Sequence, residues 1–268
     1  MMGSAAARDR DSNSADVASS RASSPALRMD HVTKMFGTRK VLDDVTFDVP
    51  AGGGFVIMGK SGTGKSVTLR HMIGLLRPDS GRVFVGDDEI SALSGSPLAD
   101  VRKKMGFLFQ SAALFDSISV GENVAFPMRR HTRLRDGEIR ERAKQKLAAV
   151  GLEQDFDKMP GALSGGMRKR AGLARALSLD PQILLVDEPS AGLDPITSEE
   201  IDGLLVDMKK EGGATLVVVT HNMQSARRLG DQLLMLDEGR IIARGTAEQL
   251  DHDSNDLVRA FMTSQHAG

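Results

Sequence analysis

Residues 55–66 read FVIMGKSGTGKS, an apolar run followed by a glycine-rich loop that ends in lysine and serine. The apolar run predicts a short buried strand, and Gly59–Ser66 fits the pattern G-x-x-x-x-G-K-[ST]. Beyond the loop, apolar residues recur at helical spacing from Leu69 to Leu76, and Pro78 is expected to end that helix. Because the loop lies between a strand and a helix, the sequence predicts a phosphate-binding site here.

The glycines, the lysine and the serine of this loop each suit a different part of phosphate binding. Glycines let consecutive backbone N–H groups turn inward around phosphate oxygens, and the following helix points its positive end at the same place. Lys65 offers a positive charge to the β- and γ-phosphates, and the Ser66 hydroxyl is a hard ligand for Mg²⁺. The plainer alternative is a glycine-rich turn that binds nothing, and the flanking strand and helix argue against it. The predicted nucleotide-binding residues are Gly59, Lys60, Ser61, Gly62, Thr63, Gly64, Lys65 and Ser66.

Two acidic residues, Asp187 and Glu188, follow a second apolar run at Ile183–Val186. An unbroken apolar run is typical of a parallel strand covered on both faces, and its end lies at the sheet edge where ligands gather. We expect Asp187 to hold Mg²⁺ and Glu188 to polarise the attacking water. His221 follows the apolar run Leu216–Val219 by two residues and would help to fix that water. The alternatives are solvated acids at a strand end and an ordinary loop histidine.

The rest of the chain alternates between strand and helix patterns, which predicts an α/β fold. Apolar and polar residues alternate in strand fashion at 27–34 and 43–49, whereas helical patterns dominate between about 98 and 178. Asp194 is expected to cap a helix that begins at Pro195. A hairpin is predicted to turn at Glu238-Gly239.

The composition excludes several classes of protein. The 268 residues include no Cys, which removes disulfides, zinc–thiolate sites, Fe–S clusters and thiol catalysis. A formal net charge of −1 argues against a generally basic nucleic-acid binder. No stretch approaches the ~18 to 20 consecutive apolar residues of a membrane span. Residues 1–26 are rich in Ser, Ala, Asp and Arg and predict a disordered tail without the apolar core of a secretory signal.

Further motifs resemble those of the ABC transporter ATPases. Leu163–Met167, which reads LSGGM, is similar to the signature motif of that family, with methionine where glutamine is usual. Gln110 matches the Q-loop, Ala191–Asp194 matches the D-loop, and His221 matches the H-loop. Phe36 matches the aromatic A-loop residue, which is usually tyrosine. Phenylalanine is the expected substitute in a chain with no Tyr and no Trp.

These motifs follow one another in the family's order over about residues 28–250. The resemblance implies a P-loop NTPase (RecA-like) core with a mainly parallel sheet, an antiparallel β subdomain and an inserted α-helical subdomain at about 112–178. It also implies that the ATPase domain spans residues 27–250 and that a short helical tail occupies residues 251–268.

The resemblance implies a homodimer in which two ATP molecules lie between two chains. Ser164 can cap a helix whose first N–H groups attract an anion, and in the family such a helix meets the γ-phosphate held by the second copy. Phe36 would then stack on adenine. The implied nucleotide contacts outside the loop are Phe36, Ser164, Gly165, Gly166 and Asp194. The expected catalytic residues are Glu188, His221, Gln110 and Lys65. The expected Mg²⁺ ligands are Ser66, Gln110 and Asp187.

Four segments resemble more closely the ATPases of Mla/Mce-type phospholipid transporters: FQSAALF at 109–115, NVAFP at 123–127, Arg168 after the signature, and DPIT at 194–197. This likeness implies an MlaE-like permease, an MlaD-like periplasmic lipid-binding protein and, in many members, a STAS-type small subunit as partners. It implies ATP and Mg²⁺ as cofactors, no nucleic acid, and a peripheral position on the cytoplasmic face of the inner membrane.

Other functions stay open at this point. The chain could serve an importer of another cargo, such as an amino acid or a metal. It could be a soluble ABC protein that acts on DNA or ribosomes, although those usually carry two cassettes or long coiled-coil insertions. It could be a catalytically silent nucleotide-binding regulator, against which Glu188 and His221 argue.

Two interpretations also stay open for four apolar residues beyond the Q-loop. They could line a groove for a permease helix, or they could form the core of the helical subdomain. The basic run from Arg129 to Arg142 is better explained as a solvated helix face balanced by local acids than as a surface for anionic headgroups. The four apolar residues are Phe115, Val124, Phe126 and Met128.

Overall fold

The structure, a computed structural model, describes residues 24–263, without the side chains at 211 and 212. The prediction of a disordered tail at 1–26 therefore lies almost wholly outside the described residues. The last five residues of the predicted helical tail at 251–268 also lie outside the described residues.

Two sheets form the framework of residues 24–263. The first has the strand order β2-β1-β4-β5, and its pairings are antiparallel. The second has the order β10-β9-β3-β8-β7-β6 and is parallel except at the β10–β9 hairpin. The predicted α/β class with a mainly parallel sheet is confirmed. The strands are β1 Leu27–Phe36, β2 Arg39–Val49, β3 Gly54–Met58, β4 Ser80–Val85, β5 Asp88–Glu89, β6 Met105–Leu108, β7 Ile183–Asp187, β8 Thr215–Thr220, β9 Gln232–Asp237 and β10 Arg240–Gly245.

Helices cover both faces of the parallel sheet. The predicted hairpin turn at Glu238-Gly239 is confirmed, and both residues have positive φ. Asp194 caps its helix and Pro195 is the first helical residue, also as predicted. The helices are α1 Lys65–Met72, α2 Gly95–Arg102, α3 Val120–His131, α4 Asp136–Ala148, α5 Gly165–Ala176, α6 Pro195–Gly212, α7 Met223–Leu229, α8 Ala247–Asp251 and α9 Asp256–Thr263.

Helix α1 ends earlier than the apolar spacing predicts. Its last helical residue is Met72, and Gly74 follows with φ of +71°, so the prediction that Pro78 ends the helix is wrong. A left-handed glycine stops a helix by turning its backbone out of the helical path. Leu76 consequently lies in the connection to β4 and not on the helix face.

The core lies on both faces of the parallel sheet, because alternate residues of each buried strand point in opposite directions. Val56 and Met58 of β3 pack with one apolar cluster, which includes residues of α3, α5 and α6. Phe55 and Ile57 pack with a second cluster, which includes residues of α1 and the antiparallel sheet. With both faces covered, the carboxyl ends of the strands remain as the edge at which polar groups collect.

The segment 112–178, which the sequence predicts as a helical subdomain, contains α3, α4 and α5. Val124 and Met128 are fully buried, so of the two interpretations left open the core applies to these two residues. Phe115 and Phe126 are 46% and 47% exposed, and their ring centroids lie 5.1 Å apart. The apolar spacing in α3 does not predict which face of the helix is buried, because Val124 and Met128 lie on one face and Phe126 on another.

Acidic neighbours balance part of the basic run, as the sequence predicts. Arg129 pairs with Glu122 of the same helix, and Arg140 pairs with Asp157. Within residues 24–263, no helix combines the length and the apolar character that crossing a membrane requires.

Candidate functional site

The glycine-rich loop connects β3 to α1, as predicted. Gly64 stands at the N-cap with φ of +104°, and a Cβ there would lie 2.7 Å from the carbonyl oxygen of Val41. Only glycine fits both this backbone conformation and this close approach. Because Gly64 has no side chain to cap α1, the first N–H groups of the helix stay available to an anion in the loop.

Lys65 lies inside the loop. Its side chain is 5% exposed, and Nζ donates hydrogen bonds to the carbonyl oxygens of Gly59 (2.8 Å) and Lys60 (2.9 Å). Burial lowers the pKa of Lys65, while the carboxylates of Glu188 and Asp187 act against that shift. The ammonium group is therefore poorly solvated, and an anion such as a phosphate would restore favourable interactions to it.

Ser66 and Asp187 bring hard oxygen atoms together at the end of β7. Ser66 Oγ donates to Asp187 Oδ1 at 2.8 Å, and Asp187 is 4% exposed. Burial raises the pKa of Asp187, whereas the hydrogen bond from Ser66 lowers it. A hydroxyl and a carboxylate beside a phosphate loop fit a divalent cation such as Mg²⁺, which commonly takes one or two protein oxygens and completes its shell with phosphate and water.

Glu188 and His221 meet across the adjacent ends of β7 and β8. Glu188 Oε2 lies 2.9 Å from His221 Nδ1, and Glu188 Oε1 lies 3.8 Å from Lys65 Nζ. The backbone N–H of Glu188 donates to the carbonyl oxygen of Val219 at 2.9 Å. Glu188 is 7% exposed, while the imidazole of His221 is exposed. A buried carboxylate thus lies between a buried ammonium group and an accessible histidine.

These groups border a cleft of about 690 Å³. Four of its lining residues were not predicted: Arg39, Val41, Val67 and Phe261. Arg39 Nη2 donates to the carbonyl oxygen of Gly62 at 3.0 Å, a contact between distant segments that no local pattern indicates. The predicted residues that line the cleft are Lys60, Ser61, Gly62, Gly64, Lys65, Ser66, Gln110, Glu188 and His221.

Phe36 lies beside the cleft and not in its lining. It ends β1 and is paired with Arg39 of β2 across a tight turn at Gly37, which has φ of +60°. Its ring is 47% exposed. Its strand partner Arg39 lines the cleft, and Lys34 Nζ lies 5.7 Å from the centroid of the Phe36 ring.

The signature-like residues are placed away from this cleft. Ser164 caps α5 by accepting from Met167 N–H at 3.2 Å, and both Ser164 and Gly165 are exposed. A Cβ at Gly166 would lie 2.4 Å from Thr197 Cγ2, so glycine allows α5 and α6 to touch there. Asp194 caps α6 through two hydrogen bonds from Thr197, which lower the pKa of Asp194. Within one chain these predicted nucleotide contacts do not reach the loop.

Similarity to known proteins agrees with this geometry. Residues 42–191 match the sequence profile of the family described as "ABC transporter". The "Probable ribonucleotide transport ATP-binding protein mkl" of Mycobacterium leprae is 44% identical over 243 residues, which are 91% of this chain and 70% of that protein. The "Intermembrane phospholipid transport system ATP-binding protein MlaF" of Escherichia coli K12 is 40% identical over 226 residues, or 84% of each chain.

A solved structure is similar over most of the chain. The dimeric post-hydrolysis state of the ATP-binding cassette MJ0796, bound to ADP and Pi, matches with a TM-score of 0.77 and 33% identity. The match covers 82% of this chain and 98% of that one. The profile, the relatives and the solved structure all point to one family. The chain belongs to the ABC transporter family, as one of its ATPase subunits.

Proposed function

We propose that this chain hydrolyses ATP to drive a membrane permease that moves phospholipids. The observation that carries the ATPase chemistry is the position of Glu188, between Lys65 and His221 at the phosphate loop. The lipid cargo is supported by the 40% identity to MlaF over 84% of both chains. A nucleotide cargo is the second candidate, because the mycobacterial relative at 44% identity is described as a probable ribonucleotide transport protein.

The reaction follows from the groups around the cleft. A water oxygen attacks the γ-phosphorus while the bond to the β,γ-bridging oxygen breaks, and Glu188 accepts the proton that the water loses. His221, whose Nδ1 lies 2.9 Å from Glu188 Oε2, would hold the carboxylate in place and help to fix the water. Lys65 stabilises the charge on the β- and γ-phosphates. ADP and phosphate are the products.

Mg²⁺ fits the same site. Ser66 and Asp187 would hold it, with Gln110 at the wall of the cleft as a further oxygen ligand. When bound, the ion would neutralise part of the phosphate charge.

A second copy of the chain would complete the site. The exposed N-terminus of α5, with Ser164 and Gly165, can attract an anion. Neither residue lines the nucleotide cleft of the same chain, so that anion would be a phosphate bound by the second copy. The residues that the family places on the γ-phosphate would then act on the nucleotide of the partner chain. The dimeric structure of the related cassette MJ0796 supports this arrangement.

The permease would bind at a shallow groove of about 330 Å³ beside the Q-loop. Arg175 shapes this groove by donating to the carbonyl oxygens of Ala112 (2.8 Å) and Ala113 (2.7 Å). Phe115 and Phe126 form its exposed apolar wall. Gln110 lines the nucleotide cleft and lies only five residues before Phe115. A movement of Gln110 when nucleotide binds would therefore change the groove and the contacts of a helix bound in it. The chain would thereby be held at the cytoplasmic face of the membrane.

Replacing Phe115 and Phe126 together with alanine is expected to abolish copurification of the permease, because two large apolar contacts at the centre of an interface are lost. ATP affinity should stay unchanged, since neither ring lines the nucleotide cleft. Pull-down from solubilised membranes measures the first effect, and Met159→Ala, at a separate exposed apolar residue, is the control. Undiminished capture of the permease by the double variant would contradict the groove assignment.

The cargo is tested on the wild-type complex from the same pull-down. Phospholipid that copurifies with the permease and is released on ATP addition supports the lipid assignment. A complex that binds and moves ribonucleotides but no lipid would replace it with the second candidate.

Phe36→Ala is expected to weaken ATP binding about tenfold, because stacking of a base on an aromatic ring contributes on the order of 1–3 kcal/mol. Phe36→Tyr should bind as the wild type does. Fluorescence titration with an ATP analogue gives the dissociation constants, and Phe115→Ala is the matched control with a similarly exposed ring. Equal affinity in Phe36→Ala and wild type would show that this ring does not stack on adenine.

A further inference from the structure

A lysine of the signature helix touches the backbone of the proposed catalytic residue. Lys169 of α5 is 5% exposed, and its Nζ donates a 2.9 Å hydrogen bond to the carbonyl oxygen of Glu188. Burial lowers the pKa of Lys169, and the carboxylates of Asp187 and Glu188 oppose that shift. Burying an ammonium group is costly unless its partners compensate for the lost water, so this contact is specific and not incidental.

The backbone of Glu188 needs such support. Its φ is +48°, in the left-handed region that non-glycine residues rarely adopt. It also precedes Pro189, and a residue before proline prefers the extended region. Strained conformations of this kind persist only where the surroundings hold them. The carbonyl oxygen of Val219 holds the N–H, and His221 holds the carboxylate. The carbonyl oxygen of Glu188 accepts from Lys169 Nζ at 2.9 Å and from the Ala191 N–H at 3.2 Å.

Without Lys169, the carbonyl oxygen of Glu188 would keep the longer bond from the Ala191 N–H (3.2 Å), and the peptide that follows Glu188 would be less firmly held. The residue could then relax toward the extended region, and its carboxylate would move away from Lys65 and from the position proposed for the attacking water. A misplacement of about 1 Å at a reacting group can lower a rate by about 100-fold.

We propose that Lys169 is a positioning residue that fixes the Glu188 carboxylate for attack and ties it to the signature helix. Ser164 caps that helix five residues before Lys169. A shift of α5, when Ser164 meets the nucleotide of the second copy, is transmitted through Lys169 to the carboxylate in its own cleft. The two sites of the dimer are thereby linked. This inference rests on the proposed role of Glu188.

The test compares Lys169→Met, Lys169→Arg and Lys209→Met in the full chain purified with its membrane partner. Methionine keeps the volume of the buried side chain and removes the donor, so folding should be retained. Lys209 is the matched control, because its Nζ also donates to a backbone carbonyl, that of Leu229, far from the cleft. Phosphate release gives the turnover number, nucleotide titration gives the dissociation constant, and thermal unfolding checks the fold.

The expected result for Lys169→Met is a turnover number about 10- to 100-fold lower with an ATP dissociation constant within about twofold of wild type. Lys169→Arg should recover most of the turnover, and Lys209→Met should match the wild type. Equal turnover in Lys169→Met and wild type would overturn the proposal. So would a comparable loss in Lys209→Met, or an arginine variant no better than methionine.

Failure of this inference is distinguishable from failure of the proposed function. If Glu188→Gln abolishes turnover and Lys169→Met does not affect it, only the positioning role is lost. If Glu188→Gln itself turns over normally, the proposed function of Glu188 fails as well. In the Glu188→Gln background, Lys169→Met should add no further loss, because the two residues act on one step.

Discussion

Replacing Glu188 with glutamine is expected to lower ATP turnover by about 100-fold or more while ATP binding is retained. Glutamine has nearly the same shape and can still hydrogen-bond His221, which lies 2.9 Å from the carboxylate, but it cannot accept a proton from water. Lys65 and the backbone of the loop, to which we assign phosphate binding, are untouched. Phosphate release and nucleotide titration on the same preparation measure the two effects.

The control for this variant is Glu199→Gln. Glu199 is an exposed carboxylate that pairs with Arg228 on the surface, so its replacement should leave turnover unchanged. Turnover of Glu188→Gln at the wild-type rate would remove Glu188 from the reaction and would leave the cleft without its assigned base.

The second large effect is expected for Lys65→Ala, which should raise the dissociation constant for ATP by about 10- to 100-fold. A hydrogen bond to a charged group contributes roughly 1.5–3 kcal/mol, and about 1.4 kcal/mol corresponds to a factor of ten in affinity. Lys65 Nζ is already held by the carbonyl oxygens of Gly59 and Lys60, so it needs little reorganisation to meet a phosphate. Titration with a fluorescent ATP analogue measures the change.

Lys104→Ala provides the comparison, because it removes an exposed lysine that pairs with Asp88 away from the cleft. The unfolding temperature of both variants should be measured, since Lys65 is also 3.8 Å from Glu188. Wild-type affinity in a folded Lys65→Ala variant would contradict the assignment of the phosphate loop.

The sequence predicted the convergence of the site because the topology of a parallel sheet is restrictive. The loop after β3, the acids at the end of β7 and His221 after β8 all follow unbroken apolar runs, and parallel strands end at one edge. The sequence therefore predicts that these residues lie close together, and the structure shows that they do. The cap at Asp194 was predictable for a different reason, because its signal lies in the adjacent residues Asp194 and Pro195.

Features that depend on packing between distant segments were not predictable. The period of α3 is compatible with burying either face, and only the fold shows that Val124 and Met128 are core while Phe126 is exposed. Helix α1 ends before Gly74, which has positive φ. The sequence offers two stop signals, Gly74 and Pro78, and the spacing of the apolar residues favoured the later one.

The contact from Lys169 to Glu188 spans 19 residues and two elements, and Lys169 lies in a charged stretch that resembles any solvated helix face. Phe261 reaches the cleft from α9 without any local signal. Such contacts arise from tertiary packing, which neither propensity nor spacing encodes directly.

The central claim is that two copies enclose the nucleotide, and the mass of the Glu188→Gln chain in solution tests it most directly. Sedimentation equilibrium should give the mass of one 268-residue chain without nucleotide or with ADP, and twice that mass with Mg²⁺ and ATP. A chain that is saturated with ATP and still has the mass of a single copy at every concentration would contradict the account.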